Sequence, residues 1–338
     1  MVRIDSWIGA ILWSAAALAP ARSVDSVTEL AVPVSVVEAD SHHPGTLLAG
    51  TSAAQLFRSR DGGDSWTPLP FPVSLRATLH SVLIDPAAPG TYWAAVSSEE
   101  TENAGVFCSR DEGATWHRGL EGRQVWALAL WPGSSRVMAA GTAEGVFVTE
   151  DGAATWRHLG SANAVQPSPV TSLAFDPADR NTLYAGTPHL AWKTSDGGAS
   201  WHRLSRGMEA DSDIFSIDVD PNRRNRVFAG ACSGIYRSIN GGGTWVALER
   251  ATGGPWRTYA IARAPGLAGV ILVGTSGGVI RSSDGGATWR KLTVLPARSI
   301  AFDPADSRRV FVATDQGILL SDDGGTTFRG TTSGRAKR

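Results

Sequence analysis

Lysine is nearly missing from this chain of 338 residues: only Lys193, Lys291 and Lys337 occur, and arginine carries the remaining positive charge. With a formal net charge of −1, no whole-molecule field draws in nucleic acid, which argues against a nucleic-acid role. A sustained 3.6-residue apolar period is also absent after the N-terminus, so helices should be scarce. The one marked apolar run, Trp7 to Leu18, is shorter than the roughly 20 residues that a membrane-spanning helix needs. Arg3 precedes it and Ala19-Pro20-Ala21 follows it, the pattern of an export signal. Residues 1–21 are therefore read as removable and the mature protein as secreted or periplasmic, without an integral membrane segment. Ser-His-Asp signatures, phosphate loops and nucleotide fingerprints are missing. The pair His42-His43 has no third ligand at usable spacing, so neither metal nor cofactor is expected.

What the chain has in abundance is one phrase, Ser/Thr-x-Asp-x-Gly-x-Ser/Thr-Trp. Its first copy is Ser59-Arg60-Asp61-Gly62-Gly63-Asp64-Ser65-Trp66, and it returns around Asp111, Asp151, Asp196, Asn240, Asp284 and Asp323 at intervals of 39 to 50 residues. A period of that size marks stacked or radial repeats, each unable to bury its own apolar face alone.

Four short β-type runs recur within each unit. The first is seen as Ser81–Pro86, Ser172–Pro177, Ser216–Pro221 and Ser299–Pro304, and the second as Leu183–Thr187 and Val227–Ala231. The third appears as Gly105–Ser109, Gly145–Thr149 and Gly234–Ser238, and the fourth starts at the motif tryptophan, as in Trp156–Leu159 and Trp201–Leu204. Such runs, rich in β-branched and aromatic residues and bounded by Gly, Pro and Asp, are strand signals. Four strands in 40 to 50 residues describe a propeller blade.

The fold class is therefore all-β, a seven-bladed β-propeller of four-stranded antiparallel blades with the motif turns between strands three and four. Residues 22–33 form a lead-in. The blades fall at about 34–70, 79–120, 125–160, 170–205, 213–250, 257–293 and 297–331, and the tail 332–338 is expected to be disordered. The order needs no strand exchanged between termini, although Thr28–Val32 has the length to join the last blade. Cys108 and Cys232 sit in different repeats at different heights, so two free, mostly buried thiols are expected.

Within the motif, Asp caps a tight turn by accepting backbone N–H bonds, Gly supplies positive φ, and Trp buries its ring beneath. Asn240 is able to do the same capping, and Phe328 stands in for one Trp. Ala153 replaces the glycine, so that turn should be strained or differently shaped. The repeated carboxylates are thus structural. This phrase resembles the Asp-box, or bacterial neuraminidase repeat, over roughly residues 34–331. The resemblance implies the propeller fold but no single activity. The repeat occurs in sialidases, xyloglucan-cleaving glycoside hydrolases, sortilin-type receptors and the seven-bladed photosystem II assembly and stability factors, and length and blade number look most like the last.

The resemblance also places ligand sites beside the axis, on the face opposite the motif turns. There the first residue of each innermost strand reads Ser35, His80, Trp126, Thr171, Phe215, Tyr259 and Arg298. Two readings stand: aromatics that plug the axial channel, or a surface varied for a ligand. Loop residues Arg76, Arg123, Asp211, Asp213, Trp256 and Arg257 surround them, and Arg with aromatics is the composition of a binding hot spot. On the opposite face Arg180, Arg223, Arg224, Arg226, Arg308 and Arg309 form either a partner-binding arc or a rim neutralised by Asp179, Asp220 and Asp306.

A sialidase-like site would need three arginines, a Tyr nucleophile and a Glu. The family's Phe-Arg-Ile-Pro signature is absent, and of four tyrosines only Tyr259 is near that face. A glycoside hydrolase needs two carboxylates about 5 to 9.5 Å apart. Asp211 or Asp213 could supply one, with Glu99, Glu100, Glu102, Glu144 or Asp315 as partner. The xyloglucan-cleaving enzymes, however, resemble two joined seven-bladed domains. The expectation is an exported, monomeric, non-catalytic propeller that binds a protein partner or a glycan. The alternative is a glycoside hydrolase with an acidic pair near Asp213.

Overall fold

The structure, a computed structural model, describes residues 30, 32–160, 165–209, 212–248 and 256–330. The expected export signal, Asp211 and the C-terminal tail lie outside them. Seven sheets, each built of four consecutive antiparallel strands, make up the chain. Blade 1 runs Val34–Ala39, Leu47–Thr51, Leu56–Ser59 and Thr67–Pro68. The innermost strands of blades 2 to 7 are Thr78–Ile84, Val125–Leu130, Ser172–Asp176, Ile214–Val219, Thr258–Arg263 and Ala297–Phe302. Among the described residues the sole helix is one 3-10 turn, Thr101–Asn103, next to the acidic run Glu99–Glu100. The molecule is thus an all-β, seven-bladed propeller.

Apolar residues of each blade are buried against the next blade. Val36, Leu48 and Leu56 of blade 1 pack on Val82, Ile84, Ala94 and Phe107 of blade 2. The last seam closes the ring: Ala301, Phe311 and Leu320 of blade 7 meet Val37, Ala49 and Trp66 of blade 1. Ser299 Oγ donates to the Val37 carbonyl (3.3 Å) and Arg309 to that of Gly62 (3.3 Å) across this seam. Among the described residues blades 1 and 7 each keep their own four strands; of Thr28–Val32 only Leu30 and Val32 are described. Leu30 is buried in the same seam without belonging to a strand.

Tight seams explain the glycine of the second strand. A Cβ on Gly274 would lie 2.7 Å from the Ala297 carbonyl oxygen of blade 7, and one on Gly230 would lie 2.8 Å from that of Thr258. Both distances are below what real Cβ atoms show, so the neighbouring backbone passes where a side chain would be.

The acid–glycine turns follow the third strand of each blade. Asp61 Oδ1 accepts from Ser59 Oγ (2.8 Å) and from the Ser65 N–H (2.8 Å), and its Oδ2 accepts from Ser65 Oγ. The same bonds recur at Asp111, Asp151, Asp196, Asp284 and Asp323. Asn240 reproduces them with one reversal, its Nδ2 donating to Thr244 Oγ1 at 2.9 Å. Ala153 takes φ +70° and keeps the local bonding, with its N–H on Thr149 Oγ1 at 2.9 Å. That turn keeps its shape and carries the strain of a left-handed non-glycine residue.

The arginine-rich composition has a structural use. Arg58 donates to the Glu112 carbonyl (2.7 Å), Lys193 to Gly241 (3.2 Å), Arg237 to Gly285 (3.2 Å) and Arg281 to Gly324 (3.0 Å). In each case a cation of one blade holds the motif turn of the following blade. Cys108 is buried, Cys232 half-buried, and both are free.

Candidate functional site: the axial mouth

The innermost strands bring Ser35, His80, Trp126, Thr171, Phe215, Tyr259 and Arg298 to the wall of one cavity of about 620 Å³ at the end of the axis. Trp126, Phe215 and Tyr259 stand in the wall of this cavity. A local feature of the strands explains why this position varies freely. In six blades the pairing register skips this residue: Ser35, His80, Trp126, Phe215, Tyr259 and Arg298 each fall at a bulge opposite the second strand. A bulged residue leaves the ladder and re-aims its side chain, so it is freed from the packing that makes its neighbours repetitive.

The mouth is aromatic on one side and nearly neutral. Phe215 and Tyr259 lie with ring centroids 5.6 Å apart, and the Arg298 guanidinium stacks over Tyr259 at 4.7 Å. Arg298 is also paired with Asp315 at 3.5 Å, the one carboxylate of the cavity wall. His80 bonds Ser97 Oγ at 2.6 Å. Although its ring faces the opening, loss of solvent to the surrounding walls pushes its pKa down to about 4, so it is neutral at pH 7. Three prolines, Pro33, Pro169 and Pro188, complete the rim; these the repeat pattern alone did not single out.

The remaining candidates lie elsewhere. Arg76 faces Glu100 at 3.9 Å, and Arg123 faces Glu144 at 3.2 Å while lying over Phe147. With Arg298–Asp315, three arginines of the candidate binding face are thus partnered by three of the carboxylates named as possible glycosidase acids. Trp256 packs against the seam of blades 5 and 6 under Lys291, 4.2 Å away. Arg257 is exposed, its N–H bonded to Ser276 Oγ at 3.2 Å. Asp213 is half-buried, its carbonyl accepting from the Cys232 N–H at 3.1 Å, and it stands outside the cavity wall.

On the opposite face the arginines are mostly spent on neighbours. Arg224 pairs with Asp176 (3.3 Å), Arg226 Nε with Asp220 (2.6 Å), Arg308 with Asp306 (2.8 Å) and Arg180 with Glu150 (3.6 Å). The neutralised rim describes this surface. Asp179 accepts from Thr182 Oγ1 at 2.7 Å, and this bond together with the nearby charge of Arg224 holds its carboxyl below the usual range. Among the described residues no three His, Cys, Asp or Glu side chains gather as a metal site, and no helix is long and apolar enough to cross a membrane.

No family model and no curated protein matches the sequence. Solved structures match the fold. The GH74 xyloglucanase from Xanthomonas campestris superposes with a TM-score of 0.72 at 18% identity, over 90% of this chain and 54% of that one. YCF48 bound to D1 peptide matches with a TM-score of 0.65 at 16% identity, over 88% and 94%. The extracellular domain of BT4673 from B. thetaiotaomicron matches with a TM-score of 0.66 at 15% identity, over 89% and 40%. The chain thus spans about half the length of the xyloglucanase structure. These neighbours include both a glycoside hydrolase and a peptide-bound protein, and at such identities they define a propeller class without choosing between them.

Proposed function

We propose that this protein is an exported, monomeric propeller that binds a protein partner or a glycan at the axial mouth and performs no chemistry of its own. The observation that carries this reading is the composition of the mouth: a preformed cavity with Trp126, Phe215 and Tyr259 in its wall, whose single carboxylate, Asp315, is already paired with Arg298. Rigid aromatic anchors in a concave site serve recognition, whereas glycoside cleavage needs two carboxylates facing each other across the substrate. The YCF48 neighbour, which covers this chain almost end to end and has a D1 peptide bound, supports the binding reading. Export rests on the pattern of residues 1–21.

The test is a screen of the purified protein against peptide and oligosaccharide arrays, with aryl-glycosides run in parallel. Binding that is lost in Trp126→Ala/Tyr259→Ala, without glycoside turnover, supports the proposal. Turnover that disappears in Asp213→Asn overturns it in favour of the hydrolase.

A further inference from the structure

An aspartate closes or follows the innermost strand in five blades: Asp40, Asp85, Asp176, Asp220 and Asp303. All five are buried. Four are met by a histidine or an arginine: Asp40 by His43 (3.0 Å), Asp176 by Arg224 (3.3 Å), Asp220 by Arg226 Nε (2.6 Å) and Asp303 by Arg309 (3.8 Å). Asp85 of blade 2 differs. Its Oδ1 accepts from the Ala87 N–H at 2.9 Å, and among the described residues no cationic side chain pairs with its carboxyl. Arg226 and Arg309 stand just before the second strand of their blades, and in blade 2 that place holds Thr91. Two arginines nearby have lost their acids in the same way. Arg308 pairs with Asp306 at 2.8 Å, but in blade 3 the equivalent Arg136 has Ser134 in the place of that aspartate. Arg60 pairs with Glu112 of the next motif turn, but the equivalent Arg110 meets Gly152 there and reaches only its carbonyl, at 3.4 Å.

These three side chains meet. Asp85, Arg110 and Arg136 stand in the wall of one open cavity of about 400 Å³ at the seam of blades 2 and 3. Asp151 shares that wall, but its two oxygens are taken by the Thr155 N–H (2.9 Å) and hydroxyl (2.6 Å) of its own turn. Burial of Asp85 does not close it to a cation, since Asp176 is likewise buried and is gripped by the exposed Arg224. A second cavity of about 350 Å³ shares Trp93, Arg110 and the Asp151–Gly152 turn with the first, and Val106, Cys108 and Ala153 continue its wall. The third strand explains this space. Where blade 2 has Cys108, blades 1, 4, 5 and 6 have Arg58, Lys193, Arg237 and Arg281, whose heads fill the seam and hold the next motif turn. A thiol is too short to do so. Unpaired charge beside a buried surface is costly, and a concave site with a few convergent polar groups is the usual form of a small-molecule pocket.

We propose that this seam is a binding site for a free α-amino acid with an apolar side chain. The carboxylate lies between the Arg110 and Arg136 guanidiniums, whose planar forks suit it, the ammonium group rests on Asp85, and the side chain enters the second cavity beside Cys108. At pH 7 an amino acid carries both charges on one carbon's substituents. It therefore answers unpaired groups of both signs in a wall that is formally neutral, with two arginines and two aspartates. An ion of one sign would leave part of that wall unmatched. The site is separate from the axial mouth, because Asp85 follows the innermost strand Thr78–Ile84 at the end away from His80.

The experiment titrates the purified protein at neutral pH, by calorimetry, with L-leucine and L-phenylalanine. Each is accompanied by the analogue lacking its amino group (4-methylpentanoate, 3-phenylpropanoate) and the one lacking its carboxyl group (3-methylbutylamine, 2-phenylethylamine). Saturable one-to-one binding of at least one amino acid is expected, with its single-charge analogues at least tenfold weaker. Asp85→Asn keeps the acceptor for the Ala87 N–H and should lose at least tenfold in affinity. Arg136→Gln lies on an exposed turn and should lose as much at an unchanged unfolding temperature. Cys108→Arg restores the side chain found at Arg58 and Arg237, fills the second cavity and should abolish binding in a folded protein. Absence of binding by both amino acids, equal binding of a single-charge analogue, or undiminished binding by Arg136→Gln and Cys108→Arg overturns the proposal. No residue of the axial mouth takes part, so such a failure would leave the mouth reading standing.

Discussion

Replacing Glu38 by Gln should make the stability of this protein less sensitive to pH, in a window set by the carboxyl itself. Burial raises its pKa in the folded state to about 8, against about 4.3 for an unfolded glutamate. Between those values the unfolded chain has given up a proton that the folded chain retains. Stability contributed by the neutral form is therefore complete below about pH 4.3 and declines as pH rises, by up to about 1.4 kcal/mol per unit. A fully desolvated carboxyl would lose nearly 5 kcal/mol by pH 8 on that slope. Because Glu38 is half-buried, hydration of the charged form lowers the penalty, and we expect about 2–3 kcal/mol. Glutamine has the same shape and never ionises. Urea unfolding at pH 4.5, 6 and 8 should show the two proteins alike at the lowest pH and the variant more stable by about 2–3 kcal/mol at the highest. A constant difference across the three pH values would refute the reasoning, since no proton linkage would then exist.

Gly274→Ala should destabilise the protein by about 1–3 kcal/mol through the 2.7 Å approach of its Cβ to the Ala297 carbonyl, read by thermal or urea unfolding. Ala153→Gly should stabilise by about 1 kcal/mol, because it relieves a left-handed alanine and leaves the turn's bonds in place. Hydrogen bonds from the Thr155 hydroxyl and backbone hold the Asp151 carboxyl down at about 2, and Asp196 and Asp284 are lowered by equivalent bonds. The stability from these groups is present above about pH 4 and lost as pH falls toward 2. Asp151→Asn, the residue already working at Asn240, should fold and show a shallower acid decline by circular dichroism.

The turns and strands were legible because a repeat reports each local rule seven times. Asp61, Gly63 and Trp66 recur in fixed register, and their departures at Asn240 and Ala153 were visible as departures. The mouth column from Ser35 to Arg298 was also visible, since one varied position stands out against regular neighbours. What it means was not, because the register slip that frees this residue depends on pairing with the second strand, which a single strand does not reveal. The partners of the loop arginines were hidden for a related reason: Arg76 and Arg123 find Glu100 and Glu144 only once loops distant in sequence meet. Glu38 was overlooked among apolar neighbours. Comparing the position three residues after the mouth column in all seven innermost strands, where Asp218 is the only other acid, would have marked it.

The claim that recognition resides at the axial mouth, while the repeated carboxylates only hold the fold, is tested most directly by one paired measurement. Trp126→Ala/Tyr259→Ala and Asp284→Ala would each be assayed for unfolding temperature and for affinity toward the peptide or oligosaccharide selected on the arrays. The account predicts at least a tenfold loss of affinity at unchanged unfolding temperature for the mouth variant. For the turn variant it predicts a lower unfolding temperature with affinity retained below it. Affinity intact in the mouth variant, or abolished in a folded turn variant, would contradict it.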